Sequence, residues 1–133
     1  MARQIFVNLP VEDLGRTMGF WKALGFDFNM QYTNEKAASL VIDENIFAML
    51  LTKPFFATFT QKEIVDATRA TEVLICLSCN SRAEVDELVA KAVAAGGKMA
   101  REAKDHGFMY EHAFEDLDGH VWELVYMEPS SPS

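Results

Sequence analysis

Cysteine is scarce in this chain of 133 residues, where only Cys76 and Cys79 are present. Two cysteines cannot form the framework of several bridges that stabilises small secreted domains. Their spacing resembles a zinc or redox motif, but residues three apart on a strand point to opposite faces, and residues 72–78 have a strand-like pattern. The N-terminal residues also lack the apolar segment and cleavage site of a signal peptide. We therefore expect unpaired structural cysteines and a cytoplasmic protein.

The chain also has few positively charged residues and no long apolar run. Twelve lysines and arginines stand against twenty acidic residues, which gives a net charge of -8. Such a surface repels phosphate backbones and anionic lipids, so we expect no nucleic-acid partner. The longest clearly apolar run, residues 46–51, is far shorter than the ~18 residues that a membrane-spanning helix needs. We therefore expect no membrane partner either.

Hydrophobic periodicity in the first half of the chain predicts one helix and four strands. Leu14, Met18, Trp21 and Leu24 are spaced for a single helical face, after Asp13 as the capping residue. Apolar alternation before and after this helix predicts strands at residues 4–9, 26–32, 37–42 and 46–51. A capping-box pattern at residues 60–63 predicts a short helix near residues 64–65.

The second half repeats the same order of elements. A strand at residues 72–78 precedes a capping box at Ser81 and Glu84, and the helix behind it ends at Gly96. Three more strands are predicted at residues 98–102, 108–115 and 120–127. We therefore expect one α+β domain with module 1 at about 4–52, a connector at about 53–71, module 2 at about 72–127 and a loose tail at 128–133.

Three motifs carry a resemblance to a known family. IFVNLPVEDL at residues 5–14 and FWKALGF at residues 20–26 resemble the opening of the glyoxalase/bleomycin-resistance/dioxygenase group, the vicinal-oxygen-chelate superfamily. FEDLDGHVWEL at residues 114–124 resembles its second signature, although Leu117 replaces a frequent proline. The chain also looks like a bacterial subgroup that is labelled lactoylglutathione-lyase-like. The resemblance implies two βαβββ modules that form a curled mixed sheet around a cleft, a small-molecule ligand and a homodimer.

Metal-dependent members of this superfamily hold a divalent ion with four side chains, and the resemblance locates these positions here. They fall at Phe6, Leu50, Leu74 and Glu123, with Met49 as the alternative to Leu50 if the fourth strand is shifted by one residue. Three of the four positions are apolar, and one carboxylate does not hold a divalent ion in place. We therefore expect no metal and no other cofactor.

The same alignment predicts which side chains line the cleft. Asn8 shares a strand face with Phe6, and the next small polar positions share a face with Leu74. An apolar pocket with a few polar groups is typical of a small-molecule site. The predicted ligand-contacting residues are Phe6, Asn8, Leu50, Leu74, Cys76, Ser78, Tyr110 and Phe114.

Glu123 and His112 are the candidate catalytic residues. Glu123 lies between two valines on one strand face, where burial would suit it to general acid/base work. His112 shares a face with Tyr110 and Phe114, and we expect that face to point inward because Glu111 and Glu115 occupy the other. His112 would then approach Glu123, to shuttle a proton or to hold a divalent metal with it.

Two functions remain open from the sequence. In the first, an apolar cleft binds a small organic molecule without a metal, as bleomycin-resistance-type proteins do. In the second, the protein resembles a glyoxalase-type lyase or isomerase, or a dioxygenase, that uses Glu123 with an atypical metal site. Whether Glu123 and His112 converge within hydrogen-bond reach in the cleft discriminates between them.

Overall fold

A computed structural model describes residues 2–129 of the chain. It contains two compact units: the first runs to Val65 and the second begins at Asp66, within the predicted connector. Each unit contains one four-stranded mixed sheet and follows the order β-α-β-β-β. The predicted α+β class and the repeated module are therefore confirmed. No helix within residues 2–129 is long and apolar enough to cross a membrane, and the end of the predicted loose tail lies outside the described residues.

Within residues 2–65, the first unit has four strands and two helices. The strand order is β1-β4-β3-β2, with β1 parallel to β4 and the other pairs antiparallel. Short 3₁₀ turns follow β2 and the second helix. The elements are β1 (Ile5–Val11), α1 (Leu14–Ala23), β2 (Asp27–Phe28), β3 (Ala37–Asp43), β4 (Ile46–Thr52) and α2 (Lys53–Phe56).

Local chemistry begins and ends α1 as the sequence predicts. The Asp13 side chain accepts a hydrogen bond from the backbone N–H of Arg16 at 3.0 Å, which satisfies one free donor of the first turn. Phe20 and Trp21 are buried on one face of the helix. Gly25 follows the helix with a φ of 97°, a left-handed conformation that favours glycine. The chain therefore turns sharply enough to enter the sheet.

Three predicted elements of the first unit differ from the structure for local reasons: two strands have other bounds and one helix is absent from residues 60–65. β1 continues through Pro10, because β1 is an edge strand and a missing backbone donor is tolerated there. The strand predicted at 26–32 shortens to two residues, since Asn29 accepts a bond from the Gln31 N–H and starts a 3₁₀ turn. The helix predicted near 64–65 does not form, and the Thr60 hydroxyl accepts from the Lys62 N–H in a local turn instead.

The described part of the second unit, residues 66–129, has four strands and one long helix. The strand order is β5-β8-β7-β6, with β5 parallel to β8. The predicted helix cap at Ser81 is confirmed, because Ser81 Oγ accepts from the Glu84 N–H at 3.0 Å. The reciprocal bond of the predicted capping box is shifted by one residue, since Glu84 Oε1 accepts from the Asn80 N–H at 2.6 Å and not from that of Ser81. The elements are β5 (Leu74–Ser78), α3 (Arg82–Ala94), β6 (Lys98–Asp105), β7 (Met109–Glu115) and β8 (Val121–Met127).

A buried carboxylate organises the turn between β7 and β8. Asp116 accepts hydrogen bonds from the backbone N–H groups of Asp118 and His120 and from Trp122 Nε1, at 2.9 to 3.0 Å. Gly119 completes the turn with a φ of 88°. A Cβ atom at Gly119 would lie 2.7 Å from backbone atoms of Ala67, so the turn packs directly against the preceding segment.

Gly119→Ala should strongly destabilise the protein. The new methyl group would meet rigid backbone as well as an unfavourable φ, and we expect a loss of about 3 kcal/mol in the free energy of unfolding. Gly107→Ala is the matched control in the same unit, because Gly107 has a φ of 84° but open space around it. That variant should lose only about 1 kcal/mol. Equal losses in urea unfolding of the two variants would contradict the close approach at Gly119.

Candidate functional site

Each sheet has one face packed against a helix and one face turned away from it. We call the face turned away from α1 in the first unit, and from α3 in the second, the open face. Side chains alternate between the two faces along every strand. The strand registers therefore assign each predicted site residue to a face.

The open face of the first unit contains a pocket of about 440 Å³. Phe6 and Phe47 are directly paired across the parallel strands, and their rings stack with centroids 5.0 Å apart and planes at 14°. The predicted contact residue Phe6 therefore does line a pocket. The lining residues, none of which carries a charge, are Gln4, Phe6, Asn29, Tyr32, Ser39, Phe47 and Met49.

The fourth strand presents Met49 to the open face, and the prediction for Leu50 is wrong. Met49 pairs with Asn8 on one side and Ser39 on the other, whereas Leu50 pairs with Leu9. Leu50 is completely buried in the core of the first unit. A shift of one residue along a strand moves the assigned position to the opposite face. Leu50 and its alternative Met49 differ by this shift. Asn8 shares the open face with Phe6 but does not line the pocket.

The sequence misses most of this pocket. Phe47 and Met49 have the two-residue spacing of a common strand face, and that spacing is the one signal that could have located them. Asn29 and Tyr32 belong to a 3₁₀ turn in a segment that was predicted to be a strand. The turn brings these two side chains to the pocket, and the alternation of apolar and polar residues in the sequence does not predict this.

In the second unit, the predicted residues of β5 share the open face with Glu123. Cys76 is the direct partner of Glu123 across the parallel strands. Leu74 and Ser78 pair with the residues on either side along the same face of β8 and are exposed. The common face predicted for these three β5 residues is therefore present, and it lies beside Glu123.

His112 lies on the opposite face, so the predicted approach of His112 to Glu123 is wrong. The β7–β8 register pairs His112 with Leu124, whereas Glu123 pairs with Ala113. The His112 side chain is nearly buried, and its Nδ1 accepts from the backbone N–H of Ala113 at 3.0 Å. These two residues cannot share a proton directly or hold one metal ion together.

Tyr110 and Phe114 also point away from the open face. The Tyr110 hydroxyl donates a 2.6 Å hydrogen bond to Asp86 of α3, and this bond raises the pKa of Tyr110. Phe114 is buried opposite Trp122 in the core. The sequence correctly grouped these aromatics with His112 but assigned their face to the cleft. The face with Glu111 and Glu115, expected to be only solvated, is the one that contains Glu123.

Arg101 occupies the centre of the charged groups on this open face. Its Nη2 atom lies 2.9 Å from Glu123 Oε2 and 3.4 Å from Glu111 Oε1, and His106 Nε2 lies 3.8 Å from the same Glu111 oxygen. We call Arg101, His106, Glu111 and Glu123 the Arg101 cluster. Register shifts on both sides of Arg101 interrupt the alternation of β6. The sequence pattern therefore gives no signal for this residue.

The Arg101 cluster also affects the neighbouring thiol. Desolvation raises the pKa of Cys76, and the negative charges of Glu123 and Glu111 raise it further against an opposing effect of Arg101. Burial and Glu84 raise the pKa of Cys79 to about 11. Both thiols are therefore protonated at neutral pH, which makes them poor nucleophiles and poor metal ligands.

The donor set does not fit the four-ligand metal centre that the family resemblance implies. Within residues 2–129, no three His, Cys, Asp or Glu side chains converge in a way that could hold a metal ion. Glu123 is bound to Arg101, and His112 lies on the other face of the sheet. The alternative metal site at Glu123 and His112 is therefore wrong.

Comparison with known proteins agrees with this architecture. A hypothetical protein from S. aureus is 32% identical, with 95% of each chain covered and a TM-score of 0.81. A glyoxalase/bleomycin resistance protein/dioxygenase family enzyme from Burkholderia phytofirmans PsJN is 16% identical over 95% of this chain and 99% of its own, with a TM-score of 0.77. A fosfomycin resistance protein from Listeria monocytogenes is 21% identical over 95% and 93%, with a TM-score of 0.68. The last two similarities, at this identity, concern the fold alone.

The family assignment rests on the sequence itself. No curated protein is significantly similar to the chain in sequence. The model of the Glyoxalase/Bleomycin resistance protein/Dioxygenase superfamily matches residues 3–124 and so spans both modules. The chain belongs to the glyoxalase/bleomycin resistance protein/dioxygenase superfamily.

Proposed function

We propose that the protein binds a small, neutral, planar organic molecule in the pocket of the first unit, and that this binding requires no metal. The observation that supports the proposal is the uncharged pocket on the open face of the first sheet. Its volume of about 440 Å³ lies within the range of small-molecule sites. The absence of charge from its lining favours a neutral ligand, since a charged ligand would lose hydration without gaining a counter-ion.

The stacked rings and polar side chains of the pocket favour a planar ligand with hydrogen-bonding groups. Phe6 and Phe47 offer flat apolar surface, and offset stacking of rings adds to the burial of apolar area. Gln4 and Tyr32 bring an amide and a hydroxyl to the same pocket. A few polar groups in an apolar lining fix the orientation of a ligand.

The alternative is a lyase, an isomerase or a dioxygenase that uses Glu123, and the geometry supports it less well. A general base needs a free carboxylate near its substrate, whereas Glu123 makes a 2.9 Å ion pair with Arg101. His112 lies on the opposite face of the sheet and so cannot accept a proton from Glu123, and the thiol of Cys76 is protonated.

The binding proposal includes a homodimer and a cytoplasmic location. It also includes the absence of nucleic-acid and membrane partners.

Phe6→Ala should weaken binding of the neutral fluorophore N-phenyl-1-naphthylamine. The parent protein should bind this planar probe saturably, with one site per chain and enhanced fluorescence. Removing one ring of the stacked pair should raise the Kd about tenfold, which corresponds to about 1.4 kcal/mol. Fluorescence titration measures the change, and addition of a chelator should leave the Kd of the parent unchanged.

Phe108→Ala is the matched control for this titration. Phe108 is 54% exposed and Phe6 is 52% exposed, but Phe108 lies in the second unit and does not line the pocket. Its replacement should leave the Kd as it is. Equal weakening by both substitutions, or no saturable binding to the parent, would contradict the proposed site.

Glu123→Gln should accelerate alkylation of Cys76 by iodoacetamide at pH 8. Removal of the neighbouring negative charge lowers the pKa of the thiol, so a larger fraction is thiolate and the rate rises severalfold. The measurement follows adduct mass against time in a Cys79→Ser background. Glu115→Gln is the control, since Glu115 lies on the same face without acting on Cys76. An unchanged rate for Glu123→Gln would contradict the electrostatic contact.

A further inference from the structure

Two carboxylates on the open face of the second unit converge on one nitrogen atom. Glu111 and Glu123 each place an oxygen within 3.4 Å of Arg101 Nη2. Glu111 pairs with Val125 and Glu123 with Ala113, so the two acidic residues are diagonal neighbours on adjacent strands. Like charges this close on one sheet face repel each other. A cation between them relieves this repulsion.

Two of the groups around this nitrogen are donors that a divalent ion can use. Carboxylate oxygens suit hard divalent ions such as manganese. His106 lies beside one of them, with its Nε2 atom 3.8 Å from Glu111 Oε1. Within residues 2–129, no three such side chains converge in a way that could hold a metal ion. Both carboxylates contact a guanidinium instead.

The position of Arg101 follows from an irregular strand. β6 changes register against β7 on both sides of Arg101, and such irregularities redirect a side chain. The Arg101 side chain is 31% exposed, while those of Glu111 and Glu123 are 23% and 22% exposed. Solvent and salt screen charges at this depth less than they screen a surface pair. Both ion contacts use the same atom, Nη2.

We propose that Arg101 is the resident cation of the Glu111–Glu123 pair and thereby excludes divalent metal ions from the open face of the second unit. The guanidinium belongs to the chain, so it is present beside the two carboxylates at high effective concentration. A divalent ion would have to displace it and would then face its positive charge. This inference rests on the proposed metal-independent function.

The test compares Zn²⁺ and Mn²⁺ binding by calorimetry in the parent protein and in Arg101→Met. Methionine keeps an aliphatic side chain of intermediate length but removes the charge. We expect no saturable binding to the parent, and saturable binding to Arg101→Met with a Kd at least about tenfold below the highest metal concentration titrated. Adding Glu123→Gln to that variant should abolish the new binding, because one of the two carboxylates is lost.

Two control variants separate the position of the charge from net charge. Arg101→Lys keeps a cation between the carboxylates and should bind metal no better than the parent. Lys98→Met removes one positive charge elsewhere on β6 and should also resemble the parent. Gain of metal binding by Lys98→Met would overturn the inference, because a general change in charge would then be sufficient.

The remaining outcomes distinguish the inference from the proposed function. A folded Arg101→Met protein that binds neither ion would overturn the role of Arg101 and leave the metal-independent function in place. Tight metal binding to the parent would overturn both. Arg101→Gln provides a second neutral variant if circular dichroism shows that Arg101→Met does not fold, and the same two outcomes apply to it.

Discussion

A small sheet that packs a helix against one of its faces buries that face and leaves the other available, and this constraint determines the functional assignments in both units. α1 covers the face of the first sheet that contains Leu50, and α3 covers the face of the second sheet that contains His112. Burial there supplies the apolar area that stabilises each module. The opposite faces are free to carry polar and aromatic groups.

The two open faces have different chemistry although the modules share one order of elements. The first contains a pocket with an uncharged lining, and the Phe6–Phe47 stack forms one wall of it. The second carries the Arg101 cluster, in which an internal cation neutralises Glu111 and Glu123. Repetition of a module therefore does not imply repetition of its site. In this chain the proposed neutral ligand fits the pocket of the first unit, whereas charged groups dominate the open face of the second.

The family fold is predictable from the sequence because its signals are local. Asp13 and Ser81 cap the helices that they were predicted to cap, and both modules have the predicted order. The face assignments are harder. In β4 the residues on both faces are apolar, so alternation does not distinguish Leu50 from Met49, and the register with the neighbouring strands decides.

Two further features of the site lie beyond sequence patterns. The two faces of β7 have different neighbours: its aromatic face packs on α3, and Glu111 on its acidic face makes an ion pair with Arg101. Arg101 itself lies between two register shifts, where a period of two does not apply. The carboxylate of Glu123 was identified from the family resemblance, but its ionic partner emerged only from the tertiary structure.

Elemental analysis of the purified, tag-free protein tests the metal-independent site most directly. The protein would be produced in media supplemented in turn with zinc, nickel, iron and manganese, and then dialysed without a chelator. The Arg101 cluster predicts a metal content far below one ion per chain in every preparation. Near-stoichiometric metal that Glu123→Gln removes would contradict it, because Glu123 would then be a metal ligand instead of the partner of Arg101.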